Sequence, residues 1–141
     1  MPQNLRFLLS FIFLSLIILS IFNLSILDNK ILIKNKIINQ TPITIFEPEK
    51  DKKNKNLIFI AHGFAGSSSF MKSIALSLAN TGYKTITFDF LGHGRHSQAY
   101  SGNILDEKGA TKLFVKQTEN LIDYFLDKNT GHKAIIIGHS M

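Results

Sequence analysis

Three short apolar runs, each ending in glycine and histidine, constrain the fold of this chain more than any other feature of it. Residues 57–61 (LIFIA) lead into His62-Gly63, residues 85–90 (TITFDF) into Leu91-Gly92-His93-Gly94, and residues 134–137 (AIII) into Gly138-His139. A short apolar run with little alternation is the pattern of a strand covered on both faces, the condition found in parallel sheets. The intervening segments have helical period. After N-cap oxygens from residues 67–69, Phe70, Met71, Ile74, Ala75 and Leu78 fall on one face until Asn80-Thr81-Gly82 ends the helix. Residues 107–127 repeat the pattern, with Leu113, Phe114, Leu121, Ile122 and Phe125 inward and Asp106, Glu107, Glu119, Asp123 and Asp127 on a solvated face. Upstream, ILIKNKIIN and PITIFEP place Ile31, Ile33, Ile43 and Ile45 at period two, as two opening strands joined through residues 39–42. Strand, helix, strand, helix, strand predicts right-handed βαβ units: an α/β fold, a mostly parallel sheet with helices on both faces.

A different element precedes this domain. Residues 7–27 carry no charge over 21 positions, long enough as a helix to cross a hydrocarbon core of about 30 Å. A cleaved signal peptide is the competing assignment, but its apolar region is usually about 7 to 15 residues and ends at a small-residue site, neither of which fits. We therefore expect one transmembrane helix in an anchor over residues 1–29, followed by a domain over residues 30–141. Lys30, Lys34 and Lys36 behind the segment outnumber Arg6 ahead of it, which leans the domain toward the cytoplasm. The formal net charge is +6, with +1 in residues 1–27, +3 in 28–56 and +2 in 57–141. The densest basic run, Lys50, Lys52, Lys53 and Lys55, is broken by Asp51 and follows Glu47 and Glu49, so it reads as a solvated linker, and no nucleic-acid partner is expected. With no cysteine there is no thiolate nucleophile and no disulfide framework.

In open parallel sheets, ligands bind at the carboxyl ends of the strands, and four of the five histidines sit at these ends. Gly138-His139-Ser140 supplies three residues of a G-x-S-x-G nucleophile elbow, whose strained strand-to-helix turn lifts a serine Oγ above the sheet. A side chain at Gly138 is expected to crowd that turn.

On these residues the chain resembles the N-terminal portion of the α/β-hydrolases. The resemblance covers residues 43–141 and rests on His62-Gly63-Phe64-Ala65-Gly66, Asp89-Phe90-Leu91-Gly92-His93-Gly94-Arg95 and Gly138-His139-Ser140-Met141, on successive strand ends in family order. The style is similar to the serine-aminopeptidase and monoacylglycerol-lipase-like group, and to the dienelactone-hydrolase-like proteins. The resemblance implies Ser140 as nucleophile of an acyl-enzyme, with Phe64 and Met141 backbone N–H groups as the oxyanion hole. It also implies that the acid and the histidine base follow residue 141, since the family order is Ser, Asp or Glu, His. His62, Gly63, Asp89, Gly92, His93, Gly94, Gly138 and His139 then shape the loops around a small-molecule or lipid-like acyl substrate.

No cofactor and no metal are expected. His62, His93, His96 and His139 could converge above the sheet, yet His93-x-x-His96 on a loop is no fixed ligand spacing. Ser97 stands where a dinucleotide fingerprint would need its last glycine, and no P-loop occurs. Lacking acid and base, the chain is expected to be a truncated hydrolase fold with no turnover of its own, and residues 134–137 an exposed apolar edge. The alternative is a non-catalytic, membrane-anchored binding protein on the same sheet.

Overall fold

The computed structural model describes residues 3–48, 56–102, 107–128 and 131–140. Helix α1 (Gln3–Lys30) is followed by strands β1 (Leu32–Ile38), β2 (Thr41–Glu47) and β3 (Asn56–Ala61). A 3-10 turn (Ser68–Met71), α2 (Lys72–Asn80), β4 (Lys84–Phe88), α3 (Glu107–Lys128) and β5 (Lys133–Gly138) complete the order. The five strands form one mixed sheet in the order β1-β2-β4-β3-β5. β3 pairs in parallel with both β4 and β5, while β1 and β2 form an antiparallel hairpin whose second strand runs antiparallel to β4.

Pleating of β3 explains why its run is apolar without alternation. Leu57 and Phe59 point into a cluster with Phe114, Leu121 and Phe125 of α3, and the Phe59 and Phe125 rings meet edge to face at 5.7 Å. Ile58 and Ile60 point the other way, onto Met71, Ala75, Leu76 and Ala79 beside α2. Both faces are therefore covered, as the strand order requires: the chain steps from β3 to β4 over one face and returns past β3 to β5 over the other.

Several sequence expectations shift in detail. The hairpin turns on Asn39 and Gln40, both at positive φ (47° and 68°), which matches the twist of paired strands, and Pro42 lies inside β2 opposite Ile37. β4 starts at Lys84 and stops at Phe88, two residues short of the expected end. The 3-10 turn changes the phase of α2. Its buried residues are Ala75, Leu76 and Ala79, while Phe70 and Ile74 are exposed. Ser67 makes no side-chain capping bond there; the Ser68 N–H is met instead by the Asp89 carboxylate at 2.6 Å. On α3, Phe114, Leu121 and Phe125 are buried, Leu113 is exposed and Ile122 is half-buried.

α1 contains a span, Gln3–Asn23, of mean hydropathy 2.5 with none of its window buried. By length and composition it could cross a membrane, and a signal sequence passes the same test. Of the loop expected over residues 47–56, Glu47 ends β2 and Asn56 opens β3, while residues 49–55, like Asp106 expected on the solvated face, lie outside the described residues.

Candidate active site

Ser140 lies two residues beyond β5 with φ of 39°, in the left-handed region that costs a serine steric energy. The turn is held from β3. The His139 N–H donates to the Ala61 carbonyl at 3.1 Å, carrying the parallel pairing one residue past Gly138. The Phe64 N–H donates to the Ser140 carbonyl at 3.2 Å. Gly63 makes that approach possible, because a Cβ there would collide with the Ser140 carbonyl oxygen and stand 2.5 Å from that of His139. The loop closes on itself through a Gly66 N–H bond to the Gly63 carbonyl at 3.0 Å, with Ala65 at φ of 55°. His62, Gly63, Phe64, Gly66, Phe70, Met71, His139 and Ser140 line a cavity of about 140 Å3.

The Phe64 N–H, expected to face an oxyanion, is thus occupied by the Ser140 carbonyl in this structure. Met141, the other expected donor, lies outside the described residues. At Gly138 the expected crowding is absent: a Cβ would meet nothing within 4 Å, because β3 is the only strand beside β5 among the described residues.

His62 is buried with both ring nitrogens engaged. Its Nε2 accepts the Phe90 N–H at 3.2 Å, so Nε2 is unprotonated and Nδ1–H donates to the Gly63 carbonyl at 2.8 Å. Burial lowers its pKa below the usual histidine value, helped by neighbouring His93 and opposed by the Gly63 bond and the Asp89 charge. The His93 ring lies 5.3 Å from that of His62, tilted by 50° to it, and its Nδ1 lies 3.0 Å from the Leu91 carbonyl. These two histidines brace loops through backbone groups. His96 is occupied likewise, its Nδ1 accepting the Gln98 N–H, and the described residues hold no group of three or more His, Cys, Asp or Glu able to bind a metal.

Asp89 is the buried charge of the region. Its Oδ1 accepts the Ser68 N–H, and its Oδ2 accepts the Arg95 Nε at 3.0 Å and the Arg95 N–H at 3.3 Å. Burial alone would raise its pKa, but the bonds from Ser68 and Arg95 outweigh it and hold the carboxyl below the usual range. Gly94, at φ of 53°, leaves room for that carboxylate, which a Cβ would strike. Gly92, at φ of 78°, likewise passes close to the Tyr100 backbone.

Two residues that the sequence did not mark as polar anchors complete this frame. Arg95 reaches Asn35 of β1 and Thr44 of β2 at 3.0 Å each and the Ser68 hydroxyl at 3.1 Å, tying the hairpin to the start of the helical turn. Gln117 of α3 accepts the Leu91 N–H at 3.1 Å and donates to the Thr41 hydroxyl at 2.8 Å and the Asp89 carbonyl at 3.2 Å. Its signal was available: 117 lies three residues after Phe114 and four before Leu121, a polar residue on the buried stripe. A larger cavity, about 250 Å3, lies between the hairpin turn and α3, and its lining includes Gln40, His96 and Lys116 but not Ser140.

The family described as serine aminopeptidase, S33, matches residues 52–141. No protein of curated function matches significantly. Among solved structures, TT1662 from Thermus thermophilus is similar with a TM-score of 0.63 at 16% identity, over 78% of this chain and 47% of that one. An alpha-beta serine hydrolase homologue from Coxiella burnetii is similar with a TM-score of 0.59 at 17% identity, over 76% and 51%. Est1E from Butyrivibrio proteoclasticus, bound to ferulic acid, follows with 0.56 at 20% identity, over 76% and 42%. Identities this low establish the fold alone, and this chain spans about half the length of these structures or less.

Proposed function

Since the chain belongs to the serine aminopeptidase, S33, family of α/β-hydrolases, we propose that Ser140 is the nucleophile of a membrane-anchored serine hydrolase. The substrate is a carboxylic ester, thioester or amide of a small or lipid-like acyl group. The observation that carries this reading is Ser140 itself: a serine at φ of 39° past a parallel strand, facing a cavity beside a glycine-rich loop. Its Oγ attacks the acyl carbonyl, its proton passes to a base, and the leaving group departs with a proton to give an acyl-serine that water then cleaves. The oxyanion takes the Phe64 N–H, which exchanges the Ser140 carbonyl for it, and the Met141 N–H; each such donor is typically worth about 2.7 to 4 kcal/mol.

His62 supports the site without acting as the base, because backbone groups occupy both of its ring nitrogens, and His93 is held to the Leu91 carbonyl through its Nδ1. The base and acid then come from beyond residue 141, as the family order implies. Residues 7–27 hold the protein in a membrane.

Ester hydrolysis tests this. The intact protein from its native membranes hydrolyses p-nitrophenyl butyrate, Ser140→Ala lowers kcat by at least about 10^3, and the 141-residue chain alone shows no turnover. Unchanged activity in Ser140→Ala, or none in the intact protein, overturns the reading, the latter in favour of a binding protein on the same fold.

A further inference from the structure

The register of the sheet separates the two functional ends of the molecule. α1 ends at Lys30, with Ile31 alone between it and β1, and Leu32 at the start of β1 stands opposite Glu47 at the end of β2. Through Phe46 with Thr85, Leu57 with Lys84 and Asn56 with Lys133, this pole is the amino end of the three parallel strands. Ile31, directly after α1, is buried there with Phe46 and Ala79 on the α2 side of the sheet. Ser140 and the loop from His62 to Gly66 occupy the opposite, carboxyl pole, past Gly138 and Ala61. A strand of six residues such as β5 separates the poles by roughly 20 Å at about 3.3 Å per residue. Residues 3–23 of α1 are all exposed, so beyond the contacts that α1 makes with α2 this span leaves the domain.

We infer that the mouth of the Ser140 cavity faces away from the bilayer, so that the enzyme takes its acyl substrate from the aqueous phase. This rests on the reading of α1 as a membrane anchor and of Ser140 as nucleophile. Phe64 and Phe70, 70% and 73% exposed at that mouth, then meet the apolar part of an arriving acyl compound rather than lipid tails. The arrangement excludes lateral entry, in which a substrate slides from the membrane into the cavity without crossing water.

Residues 1–141 contain no cysteine, so a single label can be placed among them once any cysteine beyond residue 141 is replaced by serine. The intact protein carries a single bimane-labelled cysteine, at Leu32→Cys or at Phe70→Cys, in vesicles containing phosphatidylcholine spin-labelled at the headgroup. Both positions are exposed. The expected result is strong quenching at position 32 and none at position 70. Comparable or stronger quenching at position 70 overturns the inference while leaving the anchor intact. Quenching at neither position, in protein that floats with the vesicles, overturns it as well. Failure to float with the vesicles removes the anchor reading and the inference with it.

Discussion

An alanine at Gly63 would put its Cβ into the Ser140 carbonyl oxygen, and one at Gly94 would put it into the Asp89 carboxylate at an unfavourable φ of 53°. Gly138 has the same lack of side chain and none of the same need. Gly63→Ala and Gly94→Ala are therefore expected to lose about 1–3 kcal/mol each, and Gly138→Ala to stay within about 0.5 kcal/mol, read from urea unfolding of the domain. Of these glycines, 138 belongs to the serine motif by sequence, yet its neighbours in space decide its cost. Protonation is also a residue-scale matter. His62 has a folded pKa below its ordinary 6.5, so the unfolded chain binds the proton more tightly. Its contribution is complete above 6.5 and is lost as pH falls below that value. Asp89, depressed below 3.8, behaves in the same direction further into acid. The unfolding midpoint is expected to fall as pH drops from 7.5 toward 5, with a shallower slope in His62→Asn; an equal slope would show that His62 is not the titrating group.

α2 shows where sequence periodicity succeeds and where it slips. The helix was legible, as were both βαβ units, because buried strands and amphipathic helices are written in local residue spacing. Its inward face was legible only in part: Met71 and Ala75 are buried as expected, but after the 3-10 turn of residues 68–71 Leu76 and Ala79 join them on the sheet in place of Phe70 and Ile74. Leu76→Ala is accordingly expected to cost about 2–5 kcal/mol and Ile74→Ala less than about 1 kcal/mol, by the same unfolding measurement. At the sheet edge the sequence reading and the structure agree: Ile135 and Ile136 of β5 are exposed, the latter by 58%. Unpaired apolar edges recruit other strands, so Ile136→Lys is expected to lower light scattering by the 141-residue chain in concentrated solution. Undiminished scattering would locate self-association elsewhere.

At the scale of the whole molecule, the motifs on the three strand ends were visible in sequence because each is contiguous and ends a recognisable strand. The frame that holds them was not visible. Arg95 binds Asn35 sixty positions away and Gln117 binds Thr41 at a separation of 76, contacts that no local window contains. The cavity at Ser140 thus depends on a hairpin at one edge of the sheet and a serine turn at the other, joined by Asp89, Ser68 and the loop from His62 to Gly66. The chemistry proposed for the site rests on Ser140 as the nucleophile. A fluorophosphonate probe applied to the intact protein in its native membranes, followed by peptide mass spectrometry, tests it most directly. One phosphonyl adduct is expected, on Ser140, and none in Ser140→Ala. An adduct on another residue, or none in the intact protein, would contradict it.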